Sequence, residues 1–285
     1  MATTRTGKNP AERVSERRPS LSAYQTLEVT LRNAVAIVAL NRPKVHNAFN
    51  EELIAEFTSA ISALGADDGV RAVVLIGAGE SFCAGADLNW MKKMAGFSRA
   101  QNLADAQRLA AMLATLNECP KPTVARVHGS VFGGGVGLVA CCDIAIAEHS
   151  ATFAFSEARL GLIPATISPY VIEAIGARAA RRYFLSAERF TAAEAYRLGL
   201  VHAIAPGAEL DARVNEVLGF VVTAGPHAQA ECKRLIRAVA HRPVDAAVMA
   251  HTARRIASVR ASPEAKEGVG AFLGKRRAAW VPSGE

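Results

Sequence analysis

Several common chemistries lack their residues in this sequence. No apolar stretch runs unbroken for the length of a membrane span, because Gly, Pro or a charged residue interrupts each one. A spanning helix and a membrane partner are therefore not expected. The five cysteines, Cys83, Cys119, Cys141, Cys142 and Cys232, form no C-x-x-C pair. They read as free thiols packed like small hydrophobes in a reducing, cytoplasmic protein. Seven histidines are scattered without metal-ligand spacing, so no metal centre is expected. A phosphate loop of the form G-x-x-x-x-G-K-[ST] is missing too. Gly274-Lys275 is followed by Arg276, and Val269 stands where the first Gly belongs. The nucleophile elbow G-x-S-x-G fails at its last position, Cys83 of Gly79-Glu80-Ser81-Phe82-Cys83. Fixed-period repeats, low-complexity segments and long linkers are also absent.

What is present is a chain of 285 residues, 51% of them apolar, enough to bury a large core in one or two domains. The net charge is +7, and residues 1–20 hold a local excess: Arg5, Lys8, Arg13, Arg17 and Arg18 against Glu12 and Glu16. That tail has almost no apolar residues and is expected to be disordered. It shows neither the apolar run of a secretory signal nor the acid-poor composition of a mitochondrial presequence. The body is only mildly basic, which fits an anionic small molecule better than nucleic acid.

Leu27–Leu31 and Ala34–Leu40 read as strands split by a turn at Arg32-Asn33. Asn50 suits a helix cap, and the apolar spacing from Leu53 to Leu64 carries that helix as far as Gly65. Ala72–Ile76 is a strand apolar enough to be covered on both faces. A glycine-rich loop, 77–87, leads into a helix from Leu88, and Gln101–Leu116 forms another helix. Thr123–Val127, Ile144–Ala147 and Ala151–Phe155 are strand-like, and Pro164 and Pro169 mark a loop. From Ile172 onward the pattern is helical almost throughout, with apolar stripes at Ala192–Leu198, Leu210–Val222, His227–Val239 and Val244–Ile256. Strand–helix alternation followed by helices predicts an α/β fold. Its expected divisions are the tail, 1–20, a core, 21–205, and a C-terminal helical region, 206–285.

The centre of this pattern is Val127-His128-Gly129-Ser130-Val131-Phe132-Gly133-Gly134-Gly135-Val136-Gly137. Glycines after a strand and before a helix let an anion approach backbone N–H groups and the positive end of the helix. Gly135 to Ala140 fits the dinucleotide pattern G-x-G-x-x-A, with Glu157 about 20 positions on. An NAD-dependent oxidoreductase is thus one reading. Against it, six residues separate the strand end near His128 from Gly135, where the fingerprint wants a tight turn. The second reading pairs this turn with the loop ending at Ala86, each aiming one N–H at a single oxygen. Such a donor is worth roughly 3–4 kcal/mol when charge forms in a dry site. The third is that the glycines simply permit tight strand–helix turns. Spacing leaves the last two open.

Ser81-Phe82-Cys83-Ala84-Gly85-Ala86-Asp87-Leu88, Phe132-Gly133-Gly134-Gly135 and Cys142-Asp143-Ile144-Ala145 together resemble the crotonase (enoyl-CoA hydratase/isomerase) superfamily. Leu40-Asn41-Arg42-Pro43, Leu160-Gly161-Leu162-Ile163-Pro164 and Glu188 to Ala195 extend the likeness over roughly residues 24–280. The resemblance implies a spiral of β-β-α turns, a helical C-terminal trimerisation region, and a homotrimer or dimer of trimers. It implies an acyl-CoA thioester substrate and no cofactor, since coenzyme A belongs to the substrate. By that likeness the N–H groups of Ala86 and Gly134 form an oxyanion hole for a thioester enolate. Lys44, Val45, Ala84 and Leu88 match coenzyme A contacts, and Phe272 and Lys275 match residues at its adenine–phosphate end.

Two-glutamate hydratases of the superfamily carry a carboxylate where this chain has Gly137, and a second that matches Glu157. Glu157 is therefore the expected general acid/base, with a pKa raised by burial in an apolar acyl pocket. One carboxylate leaves hydration and Δ3,Δ2-enoyl-CoA isomerisation or decarboxylation open. Gly137, Cys141-Cys142-Asp143, the segment 162–171 and Ala179-Ala180-Arg181-Arg182-Tyr183 resemble a bacterial methylglutaconyl-CoA hydratase-like subgroup, which favours hydration. In an extended segment Arg159 would share a face with Glu157 and could anchor a substrate carboxylate, or it is a surface or interface arginine.

Overall fold

A six-stranded sheet forms the spine of the computed structural model, which describes residues 24–281. The expected tail, 1–20, lies outside the described residues. β1 (Leu27–Arg32) and β2 (Val35–Leu40) make an antiparallel hairpin whose turn residues Asn33 and Ala34 both take positive φ, as a two-residue turn with the right twist requires. β3 (Ala72–Gly77), β4 (Thr123–Val127), β6 (Ile144–Glu148) and β9 (Ala203–Ala205) then add in parallel, in that order. β5 (Ser130–Phe132), β7 (Thr152–Ala154) and β8 (Arg189–Thr191) build a second, three-stranded sheet.

The chain coils between the two sheets. β4, β5 and α4 (Gly134–Cys141) make one β-β-α turn; β6, β7 and α5 (Ser168–Ser186) make the next. The loop after β3 takes the same step through a single bridge, Cys83 to Val131. This is the spiral that the resemblance implies. Around it pack α1 (Glu51–Ala66), α2 (Leu88–Met94), α3 (Arg99–Asn117) and α6 (Ala192–Leu198). The described chain closes with α7 (Leu210–Thr223), α8 (Pro226–Val239), α9 (Ala246–Ala261) and α10 (Pro263–Leu273).

β3 is apolar at nearly every position because both of its faces are covered. Successive side chains point to opposite sides: Val73 and Leu75 join the main core with Phe57 and Phe82, while Ala72 and Val74 meet Leu210, Val214 and Leu218 of α7. The glycine turns lie on the main-core side, and the last four helices follow on from the other.

The structure differs from the sequence expectations in a few places. α3 begins at Arg99, two residues before Gln101, because Ser98 and Gln101 close a capping box. Pro169 is not in a loop; it occupies the first turn of α5, where its missing N–H costs nothing. Gly176 (φ 73°, ψ 156°) breaks α5 in two. β5, β8 and β9 were not expected, since three residues are too few for an alternation pattern. Among the described residues no helix is long and apolar enough to cross a membrane.

Candidate active site

Two glycine turns meet beside the N-terminus of α4. Phe82 N–H donates to His128 O (3.0 Å), Cys83 N–H to Ser130 O (3.2 Å), and Phe132 N–H to Cys83 O (2.9 Å), which ties the β3–α2 loop alongside β5. Gly85 has φ 88°, and a Cβ there would sit 2.9 Å from Phe132 O and 3.6 Å from Gly134 N. The Gly85 backbone before Ala86 and the first N–H of α4 are therefore close neighbours. On the other side Phe49 brackets Ala86: Phe49 N–H donates to Gly85 O (2.6 Å) and Asp87 N–H to Phe49 O (2.9 Å). In such a parallel bridge the N–H of the middle residue points away from the pairing strand. Among the described residues neither Ala86 N–H nor Gly134 N–H donates to an acceptor, whereas Gly133 N–H is taken by Ala154 O (2.9 Å). Ala86 is exposed and Gly134 half-buried.

Glu157 reaches the same turn. It begins a 3-10 turn, Glu157–Leu160, after β7. Its Oε1 lies 3.0 Å from where a Cβ on Gly133 would be, and Gly133 itself has φ 49°. Only glycine both adopts that backbone and leaves room for the carboxylate. Oε2 is buried and lacks a hydrogen-bond partner among the described residues. Burial pushes the Glu157 carboxyl above the usual carboxylate range, and only its own backbone N–H pulls the other way.

The remaining glycines of the run serve packing. A Cβ on Gly135 would meet Cys83 O at 2.3 Å, and one on Gly137 would meet Ile167 Cγ2 at 2.2 Å. Both are buried, so the G-x-G of the dinucleotide pattern faces protein and offers no open phosphate cradle. At Gly137 the space beside the helix belongs to Ile167 and, at 3.5 Å, Leu113. No carboxylate occupies it.

A buried polar frame carries the Ala86 turn. Asp87 caps α2, accepting from Asn89 N–H (2.7 Å) and Trp90 N–H (3.3 Å), and pairs with Arg42 (2.9 Å). Burial alone would raise the Asp87 carboxyl, but the Asn89, Arg42 and Trp90 bonds outweigh it and hold it below the usual range. Fully buried Asn47 donates to Ala78 O (2.8 Å) and Ser81 O (2.7 Å). These bonds draw the 41–48 loop onto the 77–87 loop. Of the residues matched to coenzyme A contacts, Ala84 is half-buried and Lys44, Val45 and Leu88 are exposed. Ala84 N–H is spent on His46 O (2.9 Å).

Other expected residues lie apart. Phe272 and Lys275 sit at and just beyond the end of α10, which packs on α8 and α9, and both are exposed. Arg159 corrects an expectation: it lies in the 3-10 turn, not in an extended segment. At about 120° per residue, two positions carry it roughly 240° around from Glu157, and it is exposed. A cavity of about 630 Å³ lies elsewhere, between α5 and α6, lined by Arg178, Arg181, Arg182, Tyr183 and Arg197 among others. It touches neither glycine turn. The sequence motifs include Arg42 and Asp87 without giving them a role, and none singles out Asn47 or Phe49. The available signal was polar Asn47 and Asp87 beside tight turns. Among the described residues no group of three or more His, Cys, Asp or Glu is placed to hold a metal ion.

Known proteins share this architecture. The family model described as enoyl-CoA hydratase/isomerase matches residues 30–282. A crotonyl-CoA hydratase of Syntrophomonas wolfei is 30% identical over 261 residues, covering 91% of this chain and 99% of its own. The crystal structure of an enoyl-CoA hydratase from Shewanella pealeana is 40% identical, with a TM-score of 0.88 over 96% of this chain and 100% of that one. That of a Mycobacterium smegmatis enoyl-CoA hydratase is 33% identical, with a TM-score of 0.83 over 90% of this chain and 98% of that one. With the two glycine turns and Glu157 set on this spiral, the chain belongs to the enoyl-CoA hydratase/isomerase family.

Proposed function

We propose that the protein adds water across the C2=C3 double bond of an acyl-CoA thioester, with Glu157 as its single acid/base. The observation that carries this is the convergence of two acceptor-free N–H groups, on Ala86 and Gly134, with a buried and partly unbonded carboxylate. Ionised Glu157 takes a proton from water as the water oxygen bonds to C3. The π electrons move to give an enolate whose charge rests on the thioester oxygen, between the two N–H donors. Protonated Glu157 then returns a proton to C2. One water is added and the carboxylate is regenerated. The upward shift supports this cycle, because the carboxyl that takes a proton from water must hold it until C2 receives it.

Lys44, Val45, Ala84 and Leu88 would hold coenzyme A beside the 41–48 and 77–87 loops. Phe272 and Lys275 would meet its adenine–phosphate end from a neighbouring subunit. The exposed apolar side chains Phe220, Ile236, Met249 and Phe272 on the last four helices favour a homotrimer or dimer of trimers. A second reading, Δ3,Δ2-enoyl-CoA isomerisation, draws on the apolar filling beside Gly137. One base then carries a proton from C2 to C4 without water. The sequence likeness favours a methylglutaconyl-type acyl group.

The test is product mass after incubation with crotonyl-CoA, 3-methylglutaconyl-CoA and a 3-enoyl-CoA. Gain of one water on a 2-enoyl substrate supports hydration. Conversion of the 3-enoyl substrate at unchanged mass, with both 2-enoyl substrates untouched, would establish the isomerase instead.

A further inference from the structure

Phe49 touches both proposed donors, and no sequence motif points to it. Its backbone pairs on either side of Ala86, through Phe49 N–H to Gly85 O (2.6 Å) and Asp87 N–H to Phe49 O (2.9 Å). Its ring lies against the other donor: a Cβ on Gly134 would be 2.5 Å from Phe49 Cε2 and 3.0 Å from Cδ2. One residue thus grips the Ala86 turn with its main chain and abuts the start of α4 with its side chain. We propose that Phe49 is a positioning residue that sets the separation and aim of the Ala86 and Gly134 N–H groups. This inference rests on the oxyanion role proposed for them above.

Phe49 is itself held from both directions. Before it, the Arg42 guanidinium donates to Ala48 O and to Asp87 Oδ2 (2.9 Å), while Arg42 N–H donates to Asn47 Oδ1 (2.9 Å). After it, Asn50 caps α1 by accepting from Leu53 N–H (2.9 Å). The ring is 1% exposed within the main core, where close packing leaves it no room to retreat. Any shift of the ring is therefore felt at Gly134, and any shift of its main chain at Ala86. Phe57 and Phe82 are buried as fully, yet neither pairs across Ala86. The tight approach also gives Gly134 a reason to be glycine beyond its backbone angles: an alanine methyl there would collide with the ring.

Steady-state kinetics on crotonyl-CoA, with binding of saturated butyryl-CoA as a ground-state control, test this in the full-length protein. Phe49→Leu should lower kcat roughly 10- to 100-fold while KM and butyryl-CoA binding stay within about threefold, since donor aim matters most when charge forms. Gly134→Ala should lose more. The double variant should lose less than the product of the two single losses, because leucine vacates the volume the methyl needs. Phe49→Met, closer in volume, serves as the reading if Phe49→Leu melts below the assay temperature. Unchanged kcat in the Phe49 variants, parallel loss of kcat and binding, or losses that multiply independently would each overturn the inference. Wild-type activity separates the two claims: a wild type that turns over no enoyl-CoA removes the proposed function as well, whereas turnover with indifferent Phe49 variants removes only this one.

Discussion

At the scale of single residues, the motif likeness points to Glu157 as the candidate carboxylate and says little of its surroundings. The motif around it marked the carboxylate, but burial of Oε2 and the close approach to Gly133 depend on a 3-10 turn that reads as the end of a strand. The same turn takes Arg159 out of the extended geometry that would give it a face in common with Glu157. A buried carboxyl with a raised pKa has two consequences with definite signs. As a base it must be ionised, so kcat/KM should fall on the acid side through a pKa above the ordinary value of about 4.3. For stability, a folded-state pKa above the unfolded one contributes fully at pH below the unfolded value and is lost as pH rises through the folded value. Ionised Glu157 thus costs stability near neutrality. Thermal melts should show Glu157→Gln more stable than the wild type at pH 7, with the gap closing at pH 4. No difference between the two pH values would count against the burial argument.

At the scale of elements, long periodic segments were read within a residue or two: α1, β3, β4 and α6 carry their own apolar spacing and caps. What escaped was non-local. β5, β8 and β9 exist because neighbouring turns of the spiral offer them partners, and three residues hold no periodic signal of their own. α4 shows how one element is shaped by its neighbours. Gly135 admits the Cys83 carbonyl and Gly137 admits Ile167, so α5 can close over the helix. Gly137→Ala should therefore destabilise by about 1–3 kcal/mol through overpacking. Urea denaturation should show most of that recovered in the Gly137→Ala, Ile167→Ala double variant, relative to Ile167→Ala alone. Additive losses would show that Ile167 does not fill the space.

At the scale of the whole molecule, the two faces of the main sheet divide the labour. One face carries the glycine turns, and the other supports α7 and the helices that follow. Arg71 fastens this second layer, donating from its guanidinium to Ala224 O (2.6 Å) and Trp280 O (2.7 Å) across more than a hundred residues of sequence. The α/β class was readable from alternation alone, and the spiral only through the combined motifs. Neither periodicity nor motif could place Phe49 between the two turns, because that contact is made by the fold. The proposed site has two N–H donors, without acceptors among the described residues, and one carboxylate. Its most direct test is the rate of water addition to crotonyl-CoA by the wild type and by Glu157→Gln. The wild type should add one water, and the amide variant should lose at least about 100-fold in kcat while still binding butyryl-CoA. A variant that hydrates within a few-fold of the wild type would contradict the assignment of Glu157.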